Sequence, residues 1–181
     1  MTFQNQKATF LAKLDKSKKG SIDKKALPII NSINSKENYY TTSSCSGRVY
    51  LYKKENRKNQ TEWLKVSHDL ITEDFLNIQK PCWLRYEGFI IHIACKTIED
   101  ANILLLKAQT IYKKSSILSL KKNIVEIRDS EIIDMPYYEG ALVYSGSIEK
   151  LIELINTKLQ NNWNKIDKIK KLPLTKHYNH C

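Results

Sequence analysis

Glycine is scarce in this chain, and its placement limits the folds that the chain can adopt. There are 5 glycines among 181 residues, at positions 20, 47, 88, 140 and 146. None belongs to a G-x-G-x-x-G turn between a strand and a helix, and the sequence has no Walker loop and no G-x-S-x-G elbow. A doubly wound nucleotide-binding fold needs such a turn because its backbone must approach the phosphates closely. The sequence therefore predicts a fold other than the Rossmann fold.

Helical and strand-like patterns follow one another without regular alternation, and several strand patterns are consecutive. Helices are predicted over 2–14, from a cap at Ser21 to Ile33 with Pro28 limiting its regularity, over 72–78 and 97–113, and from Ser147 until Pro173. Strands are predicted over 49–52, 63–67, 83–86, 89–95, 116–120, 124–128 and 141–144. This order is typical of the α+β class. We expect one compact domain over 3–171, with a mixed, largely antiparallel β-sheet flanked by helices, and a flexible tail over 172–181.

Positive charge is concentrated at the two ends of the chain. The 30 Lys and Arg residues exceed the 19 Asp and Glu residues, which gives a formal net charge of +11. Residues 1–25 contain 7 Lys against 2 Asp, and residues 156–176 contain 6 Lys against 1 Asp, so each segment has a net charge of +5. Two such segments suit a phosphate backbone, and a basic surface that is only solvated is the alternative.

Neither a membrane segment nor a cysteine-based site is expected. The longest apolar run, Phe89–Cys95, is too short to cross a bilayer, and the N-terminal residues lack the apolar core of a secretory signal. We therefore expect a soluble, cytoplasmic protein without a membrane partner. Cys45, Cys82, Cys95 and Cys181 show no C-x-x-C spacing, so the sequence predicts no metal site and no disulfide.

The segment from Tyr39 to Arg48 has an unusual density of small hydrogen-bonding groups. It combines seven hydroxyl side chains with the Cys45 thiol, the permissive Gly47 and the Arg48 guanidinium. Hydroxyls and backbone amides at a strand–turn junction can surround a carboxylate or phosphate, with Arg48 as a bidentate donor. The alternative is a turn whose hydroxyls only satisfy their own backbone. Cys45 would need a neighbouring base or cation to be a nucleophile.

Two histidines lie in or after predicted strands. His68 follows a strand, and His92 lies within one, where it points with Ile90 and Ala94 and away from Ile91 and Ile93. Either ring could act as a base near neutral pH, and a hydrogen-bonded core histidine is the alternative. Aromatic side chains that could stack on a purine-like ring, or simply pack in the core, are Tyr39, Tyr40, Trp63 and Trp83.

Four ordered sequence blocks resemble one protein family. They are D-x-S-x-K-G-S-x-D at 15–23, YYTTSSCSGR at 39–48, W-L-x-x-S-H at 63–68 and LRYEGFIIHIAC at 84–95. Together they are similar to the tRNA wybutosine-synthesizing protein 3 family of archaea and eukaryotes. That resemblance implies a non-Rossmann enzyme that uses S-adenosylmethionine to methylate N4 of the tricyclic base 3′ of the anticodon in phenylalanine tRNA.

The resemblance implies that Ser43–Arg48 line the active cleft, and we expect individual roles from the chemistry of the side chains. Side chains expected at the reaction are Asp23, His68, Ser44 and Cys45, with Asp23 or His68 as the base, since a carboxylate or an imidazole can take the ring proton. Residues expected to hold S-adenosylmethionine are Ser43, Ser46, Gly47, Arg48, His92 and Glu87, and the alternative for Arg48 and the hydroxyls is the tRNA backbone. Residues expected to contact the tRNA are Asp15, Lys19, Trp63 and Arg128. The chain departs from the family at Gly88, where Pro is usual, and at Asp129, where Ser is usual.

The partner implied by the resemblance is the anticodon loop of tRNA(Phe), bound by a monomer that needs no metal. Two alternatives remain open from the residues. One is a tRNA-binding module without catalysis, in which the hydroxyl cluster only contacts phosphates. The other is a cysteine-dependent enzyme centred on Cys45.

Overall fold

The computed structural model describes residues 1–12, 22–54 and 61–171. Helices in this part of the chain are α1 (Phe3–Leu11), α2 (Leu27–Asn34), α3 (Glu73–Leu76), α4 (Ile98–Gln109) and α5 (Ile148–Lys170). Strands are β1 (Tyr39–Cys45), β2 (Arg48–Lys53), β3 (Glu62–Ser67), β4 (Cys82–Glu87), β5 (Ile90–Cys95), β6 (Ser116–Ser119), β7 (Ile124–Arg128) and β8 (Ile132–Tyr138). The α+β class is confirmed. The strands form two antiparallel sheets of 4 strands each, where one was expected.

The described residues fall into two compact units that alternate along the chain. Unit 1 takes residues from Met1–Ser46, Phe89–Ser130 and Trp163–Cys181. Unit 2 takes residues from Gly47–Gly88 and Glu131–Asn162. The hydroxyl-rich motif is therefore divided at the peptide bond between Ser46 and Gly47. Each unit contains one of the two sheets.

Unit 1 is built on the sheet with the strand order β1-β5-β7-β6. Ile91, Ile93 and Ile127 are fully buried on one face of this sheet and belong to a core cluster that includes residues of α2 and α4. At one end of the opposite face, the ring of Tyr40 packs against two phenylalanines of α1. That face also carries the polar side chains of Ser43, His92 and Glu126, because strand residues alternate between the two faces of a sheet.

Unit 2 is built on the sheet with the strand order β3-β2-β4-β8. Leu51, Leu84 and Tyr86 are fully buried, and apolar residues of α5 are buried in the same unit. The hydroxyl of Tyr86 donates a hydrogen bond of 3.1 Å to the Lys158 carbonyl of α5. Asn156 of α5 exchanges two hydrogen bonds of 2.9 Å with the backbone of Ile71. These bonds fix the helix against the chain that leads into α3.

Most predicted elements are confirmed, and three strand assignments are wrong. The hydroxyl-rich stretch was not predicted as a strand but forms β1, and β8 was not predicted at all. The strand predicted over 141–144 does not form, since only Leu142 makes an isolated bridge, to Tyr138. Helix α2 begins at Leu27, with Pro28 in its first turn, where the fixed φ of proline is well tolerated. The predicted cap, Ser21, lies outside the described residues.

The expectation of one domain over 3–171 remains a prediction. The tail predicted over 172–181 lies outside the described residues. In the part of the chain that the structure describes, no helix combines the length and the apolar character needed to span a bilayer.

Candidate active site

In unit 1, Asp23 is tied to the end of the hydroxyl-rich motif. Asp23 is only 7% exposed, and its carboxylate accepts hydrogen bonds from the backbone N–H of Ser46, at 2.9 Å, and from the Ser46 hydroxyl, at 3.2 Å. The carbonyl of Asp23 accepts from the N–H of Ala26, at 2.8 Å, in the turn before α2. Both hydrogen bonds from Ser46 are accepted by the same carboxylate oxygen, Oδ2. Asp23 thereby holds Ser46 next to the start of α2.

A row of hydrogen-bonded side chains crosses the open face of the unit 1 sheet. The Ser43 hydroxyl oxygen lies 2.9 Å from Nδ1 of His92, and Nε2 of the same ring lies 3.0 Å from Oε2 of Glu126. Arg128 follows along the row, with Nη1 at 3.7 Å from the other Glu126 oxygen. The strand register produces this row, since Ser43 is paired with His92 and His92 with Glu126.

The register also decides which side chains of the motif share a face. Ser43 is paired with His92 and Cys45 with Ile90, and these two residues of β5 lie on the same face of the sheet. Ser44 is paired with the buried Ile91. Because consecutive strand residues point to opposite faces, Ser44 lies on the other side of the sheet from Ser43 and Cys45. The motif therefore does not present all its hydroxyls to one ligand.

In unit 2, Gly47 occupies a position that only glycine fits without strain. Its φ is +96°, and a Cβ atom there would lie 2.7 Å from Nδ2 of Asn162 and 3.3 Å from the Glu87 carbonyl oxygen. Asn162 is itself buried. The carbonyl oxygen of Gly47 lies 3.2 Å from Nδ1 of His68. A carbonyl only accepts, so this Nδ1 carries the proton, and the basic lone pair of the neutral ring is on Nε2.

Arg48 and Glu87 form the centre of a charged network on the unit 2 sheet. Nε and Nη2 of Arg48 donate to Oε2 of Glu87, at 3.1 and 2.8 Å. Nε of Arg85 lies 2.9 Å from the other Glu87 oxygen, and Nη1 of Arg85 lies 3.2 Å from the Asp134 carboxylate. Asp134 also accepts from the hydroxyl of Tyr52, at 2.9 Å. The network places two guanidinium groups against two carboxylates in partly exposed positions.

Aromatic rings lie beside this network. The Arg48 guanidinium carbon is 4.6 Å from the centroid of the Trp63 ring and 5.1 Å from that of Tyr50. The two rings are stacked, with centroids 5.4 Å apart. Burial, followed by the negative charge of Glu87, holds the pKa of Tyr50 well above its usual value, so its hydroxyl remains neutral. Trp63 is partly exposed and keeps an aromatic surface near Arg48.

The buried cysteines are poor nucleophiles. Burial, with a smaller contribution from the negative charge of Asp100, raises the pKa of Cys95 to about 12. Burial also raises the pKa of Cys82. Both therefore remain neutral thiols near pH 7, where a neutral thiol reacts slowly. Cys45 is only half-buried, so it is the cysteine of the described residues that a ligand can reach most easily.

The structure groups the predicted site residues by unit. Unit 1 contains Asp23, Ser43, Ser44, Cys45, Ser46, His92 and Arg128, and unit 2 contains Gly47, Arg48, Trp63, His68 and Glu87. Asp15 and Lys19 lie outside the described residues. Sequence reasoning missed Glu126, Arg85 and Asp134 as partners of these groups. Strand alternation gave a signal for them, because a charged residue between apolar ones marks the open face of a strand.

One of the two departures from the family pattern has a structural partner. Asp129 is buried, and its carboxylate lies 3.0 Å from the ammonium group of Lys165 in the part of α5 that belongs to unit 1. It also accepts from the N–H of Ser130, at 2.8 Å. The buried charge at this position is therefore paired.

Comparisons with known proteins agree with one another. A family model described as "Methyltransferase TYW3" matches residues 5–172. A Methanocaldococcus jannaschii protein named tRNA(Phe) 7-((3-amino-3-carboxypropyl)-4-demethylwyosine(37)-N(4))-methyltransferase is 34% identical, covering 94% of this chain and 100% of that protein. A Danio rerio protein named tRNA wybutosine-synthesizing protein 3 homolog is 31% identical, covering 92% and 72% respectively. A solved structure from Pyrococcus horikoshii superposes with a TM-score of 0.82 at 29% identity, covering 93% and 94%.

Replacing Gly47 by Ala should destabilise the protein more than replacing Gly140. Gly140 also has a positive φ, of +87°, but a Cβ there would meet no atom within 4 Å. Both variants incur backbone strain of about 1–2 kcal/mol, and only Gly47→Ala must also displace the buried Asn162. Urea unfolding of the two variants measures the difference. Equal losses of unfolding free energy would show that the contact with Asn162 is not restrictive.

Proposed function

This chain belongs to the TYW3 family of methyltransferases, and we propose that it moves a methyl group from S-adenosylmethionine to N4 of the tricyclic base beside the anticodon of tRNA(Phe). It is a tRNA methyltransferase of wybutosine synthesis. The observation that carries the proposal is the match to the named archaeal N4-methyltransferase over that protein's full length. The absence of a glycine-rich nucleotide turn agrees with a donor site that is not of the Rossmann type.

The charged network of unit 2 fits the amino-acid end of the methyl donor. That end carries a carboxylate and an ammonium group, and the Arg48 and Glu87 side chains offer the opposite charges side by side, 2.8 Å apart. Arg85 keeps Glu87 oriented from its other oxygen. We assign Arg48 and Glu87 to donor binding on this complementarity. S-adenosylmethionine supplies an electrophilic methyl group on a sulfonium; the protein residues bind and orient it.

Asp23 and His68 receive different roles. Asp23 uses one carboxylate oxygen to hold both hydrogen-bonding groups of Ser46. We therefore propose that Asp23 positions the end of β1 and does not take the catalytic role expected from the sequence. His68 is assigned to orienting the Gly47 carbonyl through Nδ1. A methyl transfer needs no covalent nucleophile on the enzyme, so Ser44 and Cys45 are not required to attack the substrate.

Basic and aromatic side chains support the RNA part of the proposal. The formal net charge of +11 is concentrated in two lysine-rich segments, and lysines bind phosphates as point charges. Trp63 is partly exposed beside Arg48 and is assigned to stacking on an unpaired base. A base in the anticodon loop is already single-stranded, so the enzyme need not extract it from a duplex.

The proposed activity is tested with purified protein, S-adenosylmethionine and tRNA(Phe) from cells that lack this methylation step. Mass spectrometry of the released nucleosides should show one added methyl on the tricyclic base. Protein that binds this tRNA without methylating it would favour the non-catalytic binding module. A Cys45→Ser variant run in parallel should keep partial activity, and complete loss would favour the cysteine-dependent alternative.

Replacing Arg48 by Lys should raise the KM for S-adenosylmethionine by roughly tenfold or more. Lysine keeps the charge but lacks the planar fork that contacts Glu87 through two nitrogens, and a hydrogen bond to a charged group contributes about 1.5–3 kcal/mol. The KM for tRNA, measured in the same steady-state assays, is the internal control and should change little. An unchanged donor KM would remove Arg48 from the donor site.

Binding of tRNA should weaken steeply as salt concentration rises. If about five phosphates of the single-stranded loop are neutralised, affinity should fall roughly a hundredfold between 50 and 200 mM monovalent salt. Fluorescence anisotropy with labelled tRNA measures this slope directly. A flat response would show that the lysine-rich segments do not contact the phosphate backbone.

A further inference from the structure

The hydrogen bonds of the Ser43–His92–Glu126 row have a defined direction. An ionised carboxylate only accepts, so Nε2 of His92 carries the ring proton and donates the hydrogen bond to Glu126. In the neutral ring the other nitrogen, Nδ1, then has a lone pair and accepts from the Ser43 hydroxyl. Because the Ser43 proton points at His92, the oxygen of Ser43 presents only lone pairs to a ligand. A ligand that meets this oxygen must offer a donor.

We propose that the Ser43 oxygen accepts the proton that the target ring nitrogen loses during methyl transfer. His92 orients this serine and takes its hydroxyl proton, and Glu126 stabilises the positive charge that then develops on His92. The inference rests on the proposed methyl transfer and adds the proton acceptor to it. Ser43 is the catalytic residue of the row. His92 and Glu126 act through it and are positioning residues.

The proton and electron changes balance without another reactant. The lone pair of the ring nitrogen forms a bond to the methyl carbon, the carbon–sulfur bond breaks, and its electron pair remains on sulfur. The N–H proton passes to the Ser43 oxygen as the Ser43 hydroxyl proton passes to Nδ1 of His92. The resulting imidazolium is held by the Glu126 carboxylate, and it returns its proton to solvent after the product leaves.

The charge on Glu126 favours His92 over His68 as the final proton acceptor. Each ring has one nitrogen bonded to an acceptor, but the partner of His68 is the neutral carbonyl of Gly47, whereas the partner of His92 is a carboxylate that is only 14% exposed. An ionised partner stabilises an imidazolium more strongly than a carbonyl dipole does. Asp23 is less suited because its carboxylate already holds Ser46.

The surroundings of the row suit a proton acceptor that a ligand can reach. Ser43 is exposed, and the His92 side chain is 26% exposed. The charged or titratable groups that share this face with His92 are Glu126 and Arg128 from β7 and Tyr40 and Cys45 from β1. Helix α1, which packs on Tyr40, contributes Lys7, whose ammonium group donates to the Lys36 carbonyl. Arg128 is 46% exposed and lies 3.7 Å from Glu126, so solvent screens its charge while the guanidinium restrains the carboxylate.

The test measures kcat and both KM values for Ser43→Ala, His92→Gln and Glu126→Gln. A proton acceptor typically contributes a hundredfold or more to the rate. We expect Ser43→Ala and His92→Gln to lower kcat by about a hundredfold, Glu126→Gln to lower it by roughly tenfold, and KM values to change little. Glu153→Gln, on the exposed side of α5, is the matched control and should retain the wild-type kcat.

A pair of variants at Glu126 separates this role from a structural one. Glu126→Asp keeps the carboxylate that holds the imidazolium and should recover part of the kcat that Glu126→Gln loses, because a negative charge stabilises the charged ring more strongly than a neutral amide does. A structural role would give the reverse order, since Gln matches Glu in size and Asp does not, and that result would overturn the proposal.

The remaining outcomes are also decisive. If His92→Gln is folded by circular dichroism and retains more than half of the wild-type kcat, the row does not carry the proton. If Ser43→Ala and His92→Gln raise the donor KM with kcat unchanged, both residues bind S-adenosylmethionine, as the sequence predicted. Wild-type protein that transfers no methyl contradicts the proposed function itself, and the inference about the row falls with it.

Discussion

The pairing register between β1 and β5 determines what the unit 1 sheet can present to a ligand. An irregularity between Thr41 and Ser43 shifts the pairing so that Ser43 lies opposite His92. A strand that slips by one residue turns every side chain to the opposite face. Without this shift, Ser43 would point toward the apolar side and Thr42 would lie opposite His92. Two hydrogen bonds from Thr41 to the Asn34 side chain hold the strand just before the shift.

The same design is present in each unit when the unit is considered by itself. One face of each sheet is apolar and closed by helices, and the other face carries a hydrogen-bonded row of polar side chains. In unit 1 the row begins at the neutral Ser43 hydroxyl and leads through His92 to the Glu126 carboxylate, an order of groups that suits the movement of a proton. In unit 2 the pair Arg48–Glu87 combines both charges at 2.8 Å, which suits a zwitterionic ligand. The buried faces supply the stability that lets polar groups remain ordered on the open faces.

Much of this arrangement could be predicted from the sequence, and the errors have physical causes. Alternation within β5 correctly oriented His92 away from Ile91 and Ile93, which are fully buried. The strand β1 was missed because six hydroxyl residues suggest a turn, and pairing with β5 overrides that local preference. The strand β8 was missed because it contains Asp134 and Pro136; it is an edge strand, where proline is tolerated.

The partners of the predicted site residues depend on long-range pairing that local patterns do not reveal. Glu126 is 34 residues from His92 along the chain, and only the neighbouring register of β5 and β7 brings them together. Resemblance to a family identified His92 and Glu87 as site residues, but it gave no information on which groups orient them. The division of Ser43, Ser44 and Cys45 between the two faces of β1 likewise requires the register, because the letters alone suggest one continuous binding surface.

The tautomer of His92 tests the central claim most directly. Nitrogen-15 NMR of the ring, recorded on the wild-type protein at mildly alkaline pH, distinguishes a protonated from an unprotonated ring nitrogen. The account predicts a proton on Nε2 and a lone pair on Nδ1, with this preference reduced in a Glu126→Gln variant. A proton on Nδ1 would make Ser43 the acceptor of that bond and would contradict the proposed direction of proton transfer.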